Sequence, residues 1–159
     1  MKPLFLFFFL ITSFSLAAQQ QYIGLTTGQV KRHMRSYIKF YKYTMFTMEE
    51  KKNEISYLLR EDKVQHTDFK YEFDPKGKCI ASGVYGNCLQ CIERDLNLVL
   101  KKDRYGWVKI NDSTWLSSYR RSLQMTMKKN VGEGFMYGLD IRKMIWSRTW
   151  YNDRIAGKI

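Results

Sequence analysis

Proline is nearly missing from this chain. Apart from Pro3 close to the amino end, Pro75 is the only one in 159 residues, and cysteine is held to three positions and histidine to two. Each shortage excludes something. His33 and His66 have no partner at ligand spacing, so a zinc site lacks its ligands. With no proline after Pro75, the cis-proline that thioredoxin-like oxidoreductases place beside their thiols is not available. No nucleophile elbow and no Ser/His/Asp order with supporting glycines occurs. Gly132-Glu133-Gly134 reads as a hairpin turn rather than a strand-to-helix phosphate loop, and no cofactor is implied. Acidic pairs such as Glu49-Glu50 fall in polar stretches. The sequence is rich in packing signals and poor in catalytic ones, which leans against an enzyme.

Long apolar runs are scarce as well. The strongest, Leu4 to Ile11, is shorter than the ~20 residues a spanning helix needs. It follows Lys2 and precedes Ser15, Ala17 and Ala18, the pattern of a secretory signal peptide over residues 1–18. The expected destination is the periplasm or the exterior, with no transmembrane span left after cleavage and no cysteine at the cleavage point for lipid attachment. The remaining 159 − 18 = 141 residues are enough for one domain. Without a linker, a sequence repeat or a second proline to mark a boundary, residues 19–143 read as a single α+β domain and 144–159 as an aromatic-basic tail.

Lysine and arginine number 27 against 15 acidic residues, a formal charge of +12 that drops to +11 (12 − 1) once Lys2 leaves. The cations are spread in pairs such as Lys31-Arg32, Lys51-Lys52, Lys101-Lys102, Arg120-Arg121 and Lys128-Lys129. Spread charge is mostly solvated surface, yet its field draws polyanions in a salt-dependent way. Expected partners are therefore another protein or an anionic envelope component, with no specific nucleic acid. Trp107, Trp115, Phe135 and Tyr137 can stack bases, but such residues fill a sheet core more often.

The stretch from Asp68 to Tyr85 predicts a β-hairpin. In Phe69-Lys70-Tyr71-Glu72-Phe73 aromatics alternate with charges, and Asp74-Pro75-Lys76-Gly77 has the residues of a type I turn closed by a left-handed glycine. With the glycine as the bulge, Cys79 stands opposite Phe73, Ala81 opposite Tyr71 and Gly83 opposite Phe69. The small residues Cys79, Ala81 and Gly83 then form a shelf for a helix, while Lys70, Glu72, Asp74, Lys78, Ile80 and Ser82 face away.

Two helices are expected. Thr26 and Gln29 form a capping box, and Leu25 and Val30 a hydrophobic staple, before a basic amphipathic helix with Val30, Met34, Tyr37, Ile38 and Tyr41 on one side. The second runs from an Asn87 cap to about Lys102, with Cys88, Leu89, Ile92, Leu96, Val99 and Leu100 on one face, and is expected to lie over Phe69, Tyr71 and Phe73. Between the first helix and the hairpin, Tyr43–Met48 and Glu54–Arg60 read as strands, although Thr47-Met48-Glu49-Glu50 also fits the start of a short helix, with Glu49–Asn53 a turn and Glu61-Asp62-Lys63 another. Beyond the second helix, Trp107–Ile110, Thr114–Ser118, the Leu123/Met125/Met127 run and the Phe135/Tyr137/Leu139/Ile141 run form a meander. The expected class is α+β, two helices packed on one face of an antiparallel sheet, in the order α-β-β-β-β-α-β-β-β. In the tail, Trp146 and Trp150 are expected to dock. Exposed instead, Trp146, Arg148, Trp150, Tyr151 and Arg154 offer a partner surface.

Cys88-Leu89-Gln90-Cys91 at a helix start has one known chemical use, since a helix N-terminus stabilises a thiolate; a thiol–disulfide redox protein is thus one alternative. The structural reading is a disulfide in an oxidising compartment. With the helix folded back over the hairpin, Cys79 lies six residues from the strand end, about 20 Å at ~3.3 Å per residue. That is far beyond the ~7 Å that a bridge allows. Cys88 with Cys91 is the better pair and Cys79 a small core residue, a Cys79 bridge being open only if that helix runs elsewhere.

Gly24-Leu25-Thr26-Thr27-Gly28-Gln29-Val30 before a helix, then Tyr71-Glu72-Phe73-Asp74-Pro75-Lys76-Gly77-Lys78-Cys79, resembles small exported bacterial proteins of the β-lactamase-inhibitor-protein-like group, which includes small lipoproteins of outer-membrane assembly. The resemblance follows element order from Gly24 to Ile141. It implies a helix-plus-antiparallel-sheet domain that binds proteins without catalysis. The Cys88/Cys91 pair and the missing lipid-attachment cysteine depart from the lipoprotein members. The expectation is an exported, non-catalytic binding or envelope-associated protein; a polyanion-binding surface protein is the other alternative.

Overall fold

A computed structural model describes residues 22–60, 66–101 and 103–159. The signal-peptide segment and the Glu61-Asp62-Lys63 turn lie outside the described residues. The fold is α+β with one antiparallel sheet. Helix α1 (Thr27–Phe40) is followed by strands β1 (Met45–Lys51), β2 (Glu54–Arg60), β3 (His66–Phe73) and β4 (Cys79–Gly86). Helix α2 (Leu89–Leu100) then leads to β5 (Val108–Asn111), β6 (Thr114–Leu116), β7 (Leu123–Gly132), β8 (Phe135–Lys143) and a third helix, α3 (Arg148–Ile155). The expected order is corrected: four strands follow α2, and a helix stands where only a tail was expected.

Spatial order in the sheet is β1-β2-β3-β4-β8-β7-β6-β5. A helix and four meandering strands therefore occur twice, and the last strands of the two meanders, β4 and β8, pair antiparallel at the centre. This repeat is one of topology; no repeat is visible in the sequence.

The local signals are realised where they rest on hydrogen bonds within a few residues. The Thr26 hydroxyl accepts from the Gln29 amide and the Gln29 side chain accepts from the Thr26 amide, completing the capping box. At the hairpin, Gly77 sits at φ +71° and its amide donates to the Asp74 carbonyl, while Asp74 Oδ1 accepts from the amides of Lys76 and Lys78. At α2 the cap is Cys88 rather than Asn87. Asn87 instead accepts from the Met136 amide at 2.9 Å, tying the turn to β8. The Glu49–Asn53 turn shrinks to Lys52-Asn53, because β1 continues through Lys51.

The register of the hairpin differs from expectation after its first pair. Phe73 does face Cys79, but a bulge then leaves Ile80 unpaired, so that Glu72 faces Ala81, Tyr71 faces Ser82 and Phe69 faces Val84. The shelf of Ala81 and Gly83 is thus on the opposite side. Burying Val84, at 1% exposure, in place of a glycine favours this register by about 1.5–3 kcal/mol.

Phe69, Tyr71 and Phe73 point inward as expected, but α1 covers them. Tyr37 meets Phe69 edge-on at 5.6 Å, and the Tyr71 hydroxyl donates to Met34 Sδ at 3.1 Å. The reason lies in the backbone: Gly24 donates to the Cys79 carbonyl, Cys79 to the Leu25 carbonyl and Thr27 to the Gly77 carbonyl, stitching the start of α1 to the hairpin end. Helix α2 lies against β4 and β8 instead. Val30, Met34, Tyr37 and Ile38 of α1 and Ile92, Leu96 and Val99 of α2 join the sheet residues in one core.

Candidate functional site

Between α1 and the outer strands lies a cleft of about 590 Å³. It follows from a mismatch in width. Lys31, Arg35 and Lys39 recur at a spacing of four, so they fall on one flank of the helix, while the opposite flank is buried, and Lys42 follows just past the helix end. Strand β1 extends past the helix and is exposed along its whole length. Phe46 and Met48 share the face of Leu59 and Tyr57, their partners on β2, yet remain 50% and 45% exposed, with no element among the described residues lying over them. Ile38, Tyr43, Thr44, Phe46, Met48 and Tyr57 line the apolar part, and the four cations line the rim.

The rim is not uniform. Lys31 Nζ lies 2.7 Å from the Glu50 carboxylate, which neutralises that end. Arg35, Lys39 and Lys42 have no carboxylate partner among the described residues. Burial raises the Tyr57 hydroxyl above its ordinary value, and the Arg35 guanidinium pulls it the other way. The arrangement is that of a site for a molecule with an apolar body and a negative end. Sequence reasoning missed it, although two signals were present: an evenly spaced cationic stripe on α1 and an apolar alternation on an edge strand.

The other sheet face has a different character. Asp140 takes a hydrogen bond from the Tyr85 hydroxyl and pairs with Lys128, Lys70 pairs with Glu133 at 2.7 Å, and Arg142 pairs with Glu72 at 2.6 Å. These cross-strand charges satisfy one another.

The thiols stand as the spacing indicated. Cys88 and Cys91 are bridged, with Cα atoms 5.2 Å apart, at the start of α2, and Cys79 is a buried free thiol. The tail residues are divided. Tyr151 donates to the Ser117 carbonyl at 3.0 Å, and Trp146 stacks on Trp150 at 5.5 Å. Arg148 is exposed, and Arg154 donates to the Ile159 carbonyl at 2.6 Å. Trp146 also lies 5.5 Å from the Tyr151 ring, so three of the five residues meet around Trp146, with Trp150 still 38% exposed.

Among the described residues no group of three or more His, Cys, Asp or Glu side chains is placed to hold a metal ion, and no helix is long and apolar enough to cross a membrane. No family model, no curated protein and no solved structure matches the chain.

Proposed function

We propose that this is an exported, non-catalytic binding protein whose ligand occupies the cleft between α1 and β1–β2. The observation that carries the reading is the half-exposed floor of Phe46 and Met48 beside three cations that have no carboxylate partner among the described residues. Leaving two large apolar side chains half in water forgoes on the order of 1 kcal/mol each, which a ligand would recover. The Cys88–Cys91 bridge supports an oxidising compartment, in keeping with the leader read over residues 1–18. In this reading α1 and α2 lie on one face of the sheet, and α1 falls short of the sheet edge to leave the site open.

The test is retention of a small molecule. Folded protein incubated with a solvent extract of cell envelopes, repurified and examined by native mass spectrometry is expected to carry a bound species of defined mass. The doubly substituted Phe46→Asp/Met48→Asp protein is expected to lose it. Absence of any bound species from the unsubstituted protein, with circular dichroism showing the fold intact, would count against the reading.

A further inference from the structure

We infer that the cleft takes a single-chain fatty carboxylate, its chain along Phe46 and Met48 and its head among Arg35, Lys39 and Lys42; this rests on the binding reading above. The size of the cleft is suited to one small molecule, since ligand pockets run from about 300 to about 1,000 Å³ and this one holds about 590 Å³. Its shape is elongated. From Lys31 to Phe40 the helix advances ~13 Å at 1.5 Å per residue, and from Thr44 to Met48 the extended chain advances ~13 Å. With carbon–carbon bonds of about 1.5 Å, a zigzag chain of about ten to twelve carbons covers that length.

Charge complementarity selects the head group and its placement. Glu50 already holds Lys31, so at that end of the cleft the lining cation stands beside a carboxylate that disfavours a second anion. Lys39 and Lys42 lie at the other end, where α1 stops, and Arg35 stands between. A carboxylate can approach these donors while its chain runs toward Met48 over the apolar floor. A bare inorganic anion would leave the floor in water, and an uncharged or cationic amphiphile would leave the cations unused or repelled. The positive field of the whole chain favours the same sign of ligand.

Titration calorimetry below the micellar range, with the full folded protein, tests this. Dodecanoate is expected to bind saturably with one site, dodecyltrimethylammonium and acetate not to bind. Arg35→Gln/Lys39→Gln/Lys42→Gln is expected to weaken dodecanoate by about tenfold or more, as loss of charge-assisted contacts should. Phe46→Ser/Met48→Ser, at positions already half exposed, is expected to do the same without unfolding. Arg120→Gln/Lys129→Gln, which removes two exposed cations elsewhere, is expected to leave the affinity unchanged. Equal binding of the ammonium amphiphile, or dodecanoate binding unaffected by the triple substitution, would overturn the assignment, as would failure of dodecanoate with saturable binding of an acidic extended peptide at β1. If dodecanoate fails while an envelope molecule is still retained through Phe46 and Met48, the ligand class alone falls. If neither is retained, the cleft reading falls with it.

Discussion

The ring of Tyr85 lies over Gly138 on the facing strand, so close that a Cβ at Gly138 would stand 2.7 Å from Tyr85 Cδ1. Gly83, two residues before Tyr85 and on the same face, is also roofed by that side chain. The two glycines at the sheet centre are thus covered by one aromatic residue, whose hydroxyl donates to Asp140 at 2.5 Å.

Gly138→Ala should therefore displace the ring and cost about 1–3 kcal/mol, seen as a lower midpoint in urea. Combined with Tyr85→Leu, the alanine should cost less than it does alone. Additive effects in that double-mutant cycle would show that the ring and the glycine are not coupled.

Asp68 is buried on β3, 3.6 Å from Lys70, and its Oδ1 has no hydrogen-bond partner among the described residues. Burial raises its carboxyl above the ordinary 3.8, against the opposing pull of Lys70. A carboxyl that holds its proton more tightly when folded contributes stability below pH 3.8, and that contribution is lost as pH rises through the folded value. Relative to Asp68→Asn, the unsubstituted protein should lose thermal stability as pH rises above 3.8. A midpoint difference that stays flat or moves the other way would refute this.

Cys79 is the free thiol, and burial pushes it up to about 12. In the native protein an aromatic disulfide reagent should find no rapidly reacting thiol at neutral pH, one in denaturant, and three after reduction and denaturation. Cys88→Ser/Cys91→Ser opens only a short loop, so the loss should be about 2 kcal/mol or less. A fast-reacting thiol in the folded protein would contradict the assignment.

Tyr151 ties the carboxyl-terminal helix to the sheet through a side-chain hydrogen bond to the Ser117 carbonyl, beside the Tyr119 ring at 5.6 Å. Tyr151→Phe should cost roughly 1 kcal/mol of docking. It should also speed proteolysis between residues 144 and 147 and change tryptophan fluorescence through Trp146 and Trp150. Unchanged cleavage would show that the ring contacts suffice.

The sequence by itself determined what is decided within a few residues. The Thr26–Gln29 box, the Asp74–Gly77 turn, β2, the inward Phe69, Tyr71 and Phe73, and the three-residue separation of Cys88 from Cys91 all rest on short-range hydrogen bonds, side-chain period or short sequence distance, which residue identity dictates. Tertiary structure alone decided that Ile80 bulges, that α1 and not α2 lies over the hairpin, that β4 meets β8, and that β1 runs out beyond its helix. These are choices between arrangements that satisfy the same local patterns. They turn on total buried area and on backbone contacts far apart in the chain, such as Gly24 with Cys79, which no local window of sequence contains.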